Sequence, residues 1–373
     1  MSTFIERFDS NGSGPRLAVK DLIDMKGHLT TAGCKAVADH AKPAEADADC
    51  MAGARQAEAR GDLRIVGKVN LHELAFGGTG LNPWFGNPIN PLDPARIPGG
   101  SSSGSAVAVA TEEADVAYGS DTGGSVRTPS ACCGTAGLKT TWGRVPLRGV
   151  WPLSPSLDTV GPMARDVAGL LLGMRLLEPG FELAPAAPST AARFRGLDVD
   201  PAIDAALDRV LAESGLDVVD VDLAGWAAAT RAGVTVLVAE AWQSDRRLVE
   251  EYPQSVGEEV RNRFDYGRAV TAPQLSEALA HRTAWRAELA AVFARAEVIA
   301  LPSLVMFPPI IGENADLTVQ TNVAVNLAGH PALAVPVPTG GPLPASLQLI
   351  GPDGSESMLL AAGLVIEGAA AAL

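Results

Sequence analysis

Two short loops of this chain concentrate glycine and serine: Gly99-Gly100-Ser101-Ser102-Ser103-Gly104-Ser105, and Gly119-Ser120-Asp121-Thr122-Gly123-Gly124-Ser125-Val126-Arg127. Glycine removes the Cβ obstacle, so such loops can bring backbone N–H groups close to a ligand. A helix start adds free N–H groups and a partial positive charge. If Ser125 opens a helix after a strand, its hydroxyl lies beside an oxyanion hole made by the N–H groups of Thr122, Gly123, Gly124 and Ser125. That is the equipment of a serine nucleophile attacking a carbonyl. Such a nucleophile needs a proton acceptor. None of the five histidines (His28, His40, His72, His281, His330) is a sequence neighbour of these loops. A lysine serves if burial keeps it neutral. Lys20 and Lys68 each end an apolar run, and spacing alone leaves the two equivalent.

The elements that must hold these residues follow from periodicity. Leu17-Ala18-Val19, residues 63–69 and residues 114–118 read as strands. Residues 105–111 (SAVAVAT) read as a short buried helix, 125–133 as the start of another, and 43–60 as a surface helix. Between them, 76–104 is a long run of Gly, Asn, Pro and Ser, and a structureless connection of that length is usually functional. Residues 1–15 read as a loose start. Further on, helices are expected at 201–214 and 274–295, and strands at 216–221, 298–301, 332–337 and 346–350. Alternating helices and strands give an α/β class.

Composition narrows the partners. The 373 residues are 47% hydrophobic and 19% charged, which excludes disorder as the main state. The net charge is −14, with 29 Lys and Arg against 43 Asp and Glu. No basic cluster is present, so neither nucleic acid nor an anionic membrane is an expected partner. The four cysteines include no CxxC pair, so no metal is expected, and Cys132 and Cys133 read as helix packing. The first residues contain no apolar leader-like run, and a cytoplasmic protein with free thiols is expected.

The segment 99–127, the run Ala18-Val19-Lys20-Asp21-Leu22-Ile23-Asp24, and Gly134-Thr135-Ala136-Gly137-Leu138-Lys139 resemble the amidase signature family. So do Asp158–Asp166, Asn326–Ala332 and Leu347–Pro352. The resemblance runs from about residue 15 to the end, and region 186–295 matches only in general pattern. It implies one α/β domain built on a large mixed sheet covered on both faces by helices, with a catalytic core at about 16–170. It also implies a Ser–cis-Ser–Lys triad without cofactor: Ser125 as nucleophile, Ser101 as bridging serine 24 residues earlier after a cis Gly100–Ser101 bond, and Lys20 as base. Asp121 and Arg127 would brace the loop from behind. Ala75 and Phe76 fall at pocket-lining positions, with the apolar run Val305-Met306-Phe307 as a further candidate wall. Nineteen residues precede Lys20 where many members carry an extra helical segment, which leaves monomer and homodimer both open.

Two other motifs fail on context. Gly100-Ser101-Ser102-Ser103-Gly104 matches G-x-S-x-G, but the Pro-rich 90–98 ahead of it is no strand. Gly67-Lys68 lacks the upstream glycine and following Ser or Thr of a P-loop. The expected function is hydrolysis of a small aryl or alkyl carboxamide to acid and ammonia, the pattern being most similar to plant-type indole-3-acetamide hydrolases. The alternatives are an ammonia-supplying component of a tRNA-dependent amidotransferase and a catalytically dead scaffold. His330 reads as a turn residue before Pro331.

Overall fold

The computed structural model describes residues 3–9, 12–313 and 320–373. Eleven strands among these residues form a single mixed sheet: β1 Phe4–Arg7, β2 Arg16–Lys20, β3 Arg64–Val69, β4 Val116–Ser120, β5 Ala136–Lys139, β6 Val160–Ala164, β7 Thr190–Phe194, β8 Asp217–Val221, β9 Val298–Pro302, β10 Ala332–Val337 and β11 Ala345–Ile350. Their order across the sheet is β1-β3-β2-β4-β6-β5-β10-β11-β9-β7-β8. Parallel pairs lie toward the ends (β2 with β3 and β4; β7 with β8 and β9), and the middle is antiparallel. Burial follows position. Every residue of β4, β6 and β11 is buried, as expected for strands covered on both faces, whereas the edge strand β8 is largely exposed.

The covering helices are α1 Lys35–Ala38, α2 Ala52–Ala59, α3 Ser103–Ala110, α4 Arg127–Cys133, α5 Val167–Leu177, α6 Pro201–Glu213, α7 Trp226–Glu251, α8 Glu258–Ala269, α9 Ala272–Phe293, α10 Val323–Ala328 and α11 Glu356–Ala372. Helix α3 is built of Ser, Gly, Ala and Val, and seven of its eight residues are buried. Small side chains let it lie close against β2, β4 and β6, which brings its N-terminal serines to the end of β2. Helices α8 and α9 both pack on α7, forming a further layer. Helix α9 starts with a Thr271/Gln274 capping box.

The structure corrects four expectations. Residues 4–7 are not loose: they add antiparallel to β3 at the sheet edge. The helix expected over 43–60 is confined to a short turn at Asp49–Met51 and α2, because Pro43 and the polar run after it continue as loop. Helix α4 begins at Arg127, so Ser125 lies in the turn ahead of it rather than inside it. Phe307 packs on the main core and Met306 is exposed, so this run forms no wall of the pocket described below. No helix among the described residues is long and apolar enough to cross a membrane.

Candidate active site

Strand β2 ends on Lys20, and its neighbour β4 ends on Ser120. Parallel pairing therefore brings the two strand ends together, and the loop before α3 drops Ser101 and Ser102 between them. Lys20 is completely buried, and its Nζ donates to Ser101 Oγ at 2.7 Å, to Ser102 Oγ at 2.8 Å and to Ser120 Oγ at 2.8 Å. No carboxylate is paired with it among the described residues. Burial therefore dominates and lowers Lys20 to about 7, partly offset by the more distant Asp121 and Asp158. The Gly100–Ser101 peptide bond is cis.

The rival lysine is accounted for differently. Lys68 lies in β3 and forms a buried ion pair with Asp21 at 2.7 Å, with further bonds to the Leu29 carbonyl and Thr30 Oγ1. Its ammonium is held by these three partners and ties the strand ends together.

Behind the second loop lies Asp121, fully buried. Its carboxylate accepts from the amides of Gly124 (2.8 Å) and Val126 (3.2 Å), from Arg127 Nε (2.9 Å) and Nη2 (2.8 Å), and from Asn326 Nδ2 (2.8 Å). Arg127 reaches on to Gln348 and Asn326, both at 2.6 Å. Burial alone would raise the Asp121 carboxyl, but Arg127, Lys139 and Asn326 outweigh it and hold the group well below the usual carboxylate range. The loop thus curls round a fixed anion. This curl redistributes the four amides expected to face a substrate. The Gly124 N–H is spent on Asp121, whereas those of Thr122, Gly123 and Ser125 donate to no protein acceptor among the described residues. Of the four expected donors, Gly124 is therefore removed.

Ser125, Thr122 and Gly123 line one side of a pocket of about 60 Å³ that also touches Gly100. Ser102 N–H donates to the Ser125 carbonyl at 3.2 Å, tying the two loops together. Ala75 and Phe76 line this pocket, joined by Leu153 and Leu237. Arg263, from α8, lines it as well. Its Nη2 donates to Glu259 at 3.2 Å, and its Nε is buried with no partner among the described residues. Sequence reasoning missed Arg263, because it lies in the stretch 186–295, where no motif marks one arginine among many. It also missed Ser102 and Ser120 as lysine partners and Asn326 as an Asp121 partner. The two serines stand within the Gly/Ser loops, and strand pairing of β2 with β4 would have pointed to Ser120. His330 is not a bare turn residue: its Nδ1 faces Asp353 at 2.6 Å. Cys132 and Cys133 are buried in α4, as expected of packing residues.

A family model described as Amidase matches residues 13–180 and 190–360. A glutamyl-tRNA(Gln) amidotransferase component of Halobacterium salinarum is 33% identical, over 95% of each chain. The 2-amino-5-chloromuconic acid deaminase of Comamonas testosteroni is 34% identical, over 95% of this chain and 81% of its own. Among solved structures, one described as an amidase superposes with a TM-score of 0.86 at 29% identity, covering 95% of this chain and 84% of that one. The corresponding glutamyl-tRNA(Gln) amidotransferase component of Thermotoga maritima superposes with a TM-score of 0.83 at 27% identity, covering 98% and 86%. With the sequence match, the shared fold and the cis-serine loop in agreement, the chain belongs to the amidase signature family, hydrolases that act on C–N amide bonds.

Proposed function

We propose that the protein hydrolyses a small carboxamide to the acid and ammonia through an acyl-enzyme on Ser125. The observation that carries this reading is the buried Lys20, lowered to about 7 with no paired carboxylate and 2.7 Å from Ser101 Oγ. About half of such lysines are neutral near pH 7, and a neutral amine accepts a proton. Ser102 Oγ already donates to the Ser120 carbonyl at 3.2 Å. Its proton is therefore committed, and in this reading the proton handed to Lys20 comes from Ser101, the nearest of the three hydroxyls.

The proposed steps are these. Ser101 passes its proton to Lys20 and takes the proton of Ser125, whose oxygen attacks the amide carbon. The amides of Thr122, Gly123 and Ser125 are left to receive the developing oxyanion. Lys20 returns its proton through Ser101 to the leaving nitrogen, and ammonia departs. Water, deprotonated by the same relay, releases the acid. Asp121 and Arg127 fix the loop that presents these amides.

The pocket restricts the acyl group. Its volume admits a short chain or small ring, and its walls are Ala75, Phe76, Leu153 and Leu237. Arg263, paired on one side with Glu259 and carrying an Nε with no partner among the described residues, adds a cation to this lining, which suits a carboxylate. We therefore place amides with an acidic far end above plain aryl or alkyl amides. This feature also favours a second reading, an ammonia-supplying component that uses glutamine, in line with the amidotransferase relatives.

The deciding experiment is ammonia release from benzamide, indole-3-acetamide, butyramide, succinamic acid and glutamine, with Ser125→Ala in parallel. Turnover of at least one simple amide, lost by roughly 10³-fold or more in Ser125→Ala, is expected. Turnover of glutamine alone would move the assignment to the second reading. Silence on every amide, with no labelling by a fluorophosphonate, would overturn both.

A further inference from the structure

The apolar wall of the pocket is carried by a turn, Glu73–Ala75, whose first residue the proposed chemistry leaves unused. Glu73 is 1% exposed, an unusual place for a carboxylate. Its two oxygens are both engaged, and they reach in different directions. Oε1 accepts from Trp84 Nε1 at 2.7 Å, within the loop that runs toward the cis serine. Oε2 accepts from the backbone N–H of Gly257 at 2.9 Å. Gly257 is the residue immediately before α8.

The same turn touches the reacting groups at both ends. The N–H of His72, just before it, donates to the Ser101 carbonyl at 2.9 Å. Phe76, just after it, lines the pocket and packs on Phe264 of α8, ring centroids 5.1 Å apart. Phe264 is the neighbour of Arg263. Helix α8 therefore meets this segment through the ring contact, through Glu259, whose Oε1 lies 3.8 Å from His72 Nε2, and through the Glu73 carboxyl on the N–H of the residue that opens it. A ring contact tolerates sliding, but a carboxylate on a backbone N–H does not.

We propose that Glu73 is a positioning residue that pins the start of α8 to the catalytic loops and thereby sets the pose of Arg263 in the pocket lining. The inference rests on the reading of Arg263 as the group that meets an acidic substrate. Glu73 touches no substrate itself. Its effect is on which amides are accepted, through the angle at which α8 presents the guanidinium.

Two variants approach the bond from opposite sides. Glu73→Gln keeps the shape but turns one acceptor into a donor, which then faces either Gly257 N–H or Trp84 Nε1–H. Gly257→Ala leaves Glu73 intact. Its backbone (φ −61°, ψ 146°) suits alanine, but the new Cβ would stand 2.5 Å from Glu73 Oε2 and force the two apart. The readout is kcat/KM on succinamic acid divided by kcat/KM on butyramide, its neutral counterpart. The ratio is expected to fall about tenfold in both variants, mainly through KM on the acid, while kcat of Gly257→Ala on butyramide stays within about threefold of wild type. Hydrogen exchange across 257–264 should quicken in both. Arg263→Met should lower the ratio at least as far, and adding Gly257→Ala to it should lower the ratio no further. Equal loss on both amides in Glu73→Gln and Gly257→Ala would overturn the proposal and leave Glu73 a purely structural acid. An unchanged ratio in Arg263→Met, with a fall in the Glu73 variant, would overturn the acidic-substrate reading but keep the pinning of α8. An unchanged ratio in all three would overturn both.

Discussion

At the residue scale, the site depends on two buried charges treated in opposite ways. Lys20 has no paired carboxylate among the described residues and is lowered to about 7, whereas Asp121 is surrounded by donors and is held well below the usual carboxylate range. Only the neutral lysine can take a proton, so kcat/KM should rise with pH, inflect near 7 and level off above it. A pH profile on any turned-over amide checks this. An activity that falls through the same range would mean that Lys20 works as an acid. Asp121 also bears on that inflection, because its negative charge raises Lys20. Asp121→Asn should therefore move the inflection to lower pH. The same substitution leaves Arg127 buried and uncompensated, and should cost about 3–5 kcal/mol in denaturant unfolding. Legibility at this scale was high where a motif stood. Ser125 could be singled out because glycine and serine cluster around it, whereas Ser101 and Asp121 were named through the family resemblance. Residue types and spacing left Lys20 and Lys68 equivalent, and only the family resemblance favoured Lys20; in the fold what distinguishes them is Asp21, which turns its carboxylate toward Lys68.

At the element scale, strand ends and loops do the aiming. β2 and β4 were readable because their apolar runs are continuous, as buried central strands are. β1 was not, because Phe4-Ile5-Glu6-Arg7 is half-exposed edge and carries little period. α8 was not among the helices expected from the sequence, and its contact with the pocket comes from its packing on α7, which no local pattern encodes. The loop before α3 was recognised as functional from its length and its glycines. One of these glycines allows a test. Gly80 has a left-handed φ of +76°, and a Cβ there would stand 2.3 Å from the Gly99 carbonyl and 2.7 Å from Ser103 Cβ. Gly80→Ala must push the backbone that carries Ser101. Turnover should drop at least tenfold, because misplacement by about 1 Å is enough for that. Melting measured alongside should show the protein still folded. Full activity in Gly80→Ala would show that the loop tolerates the shift.

At the scale of the whole molecule, one eleven-stranded sheet carries the triad near its β1 side, and the α7–α9 layer closes over the pocket. Joining the two parts places polar groups in an apolar interior. Asp245 of α7 is the clearest case: it is 2% exposed, Oδ1 accepts from Trp151 Nε1 at 3.1 Å, and Oδ2 has no partner among the described residues. Burial, with a smaller contribution from Asp158, pushes its carboxyl up to about 8. In the unfolded chain the same group titrates near 3.9. Between those values the folded state holds a proton that the unfolded state has lost, so stability falls as pH rises from about 4 to about 8 and is flat above. An asparagine keeps the carbonyl for Trp151 and carries no charge at any pH. The melting temperature of Asp245→Asn relative to wild type should therefore be higher at pH 8 than at pH 5, by a few degrees. An offset that does not change between the two pH values would mean that water or a neighbour already compensates the carboxylate, and that the join between the sheet and the α7 layer is wetter than its packing implies.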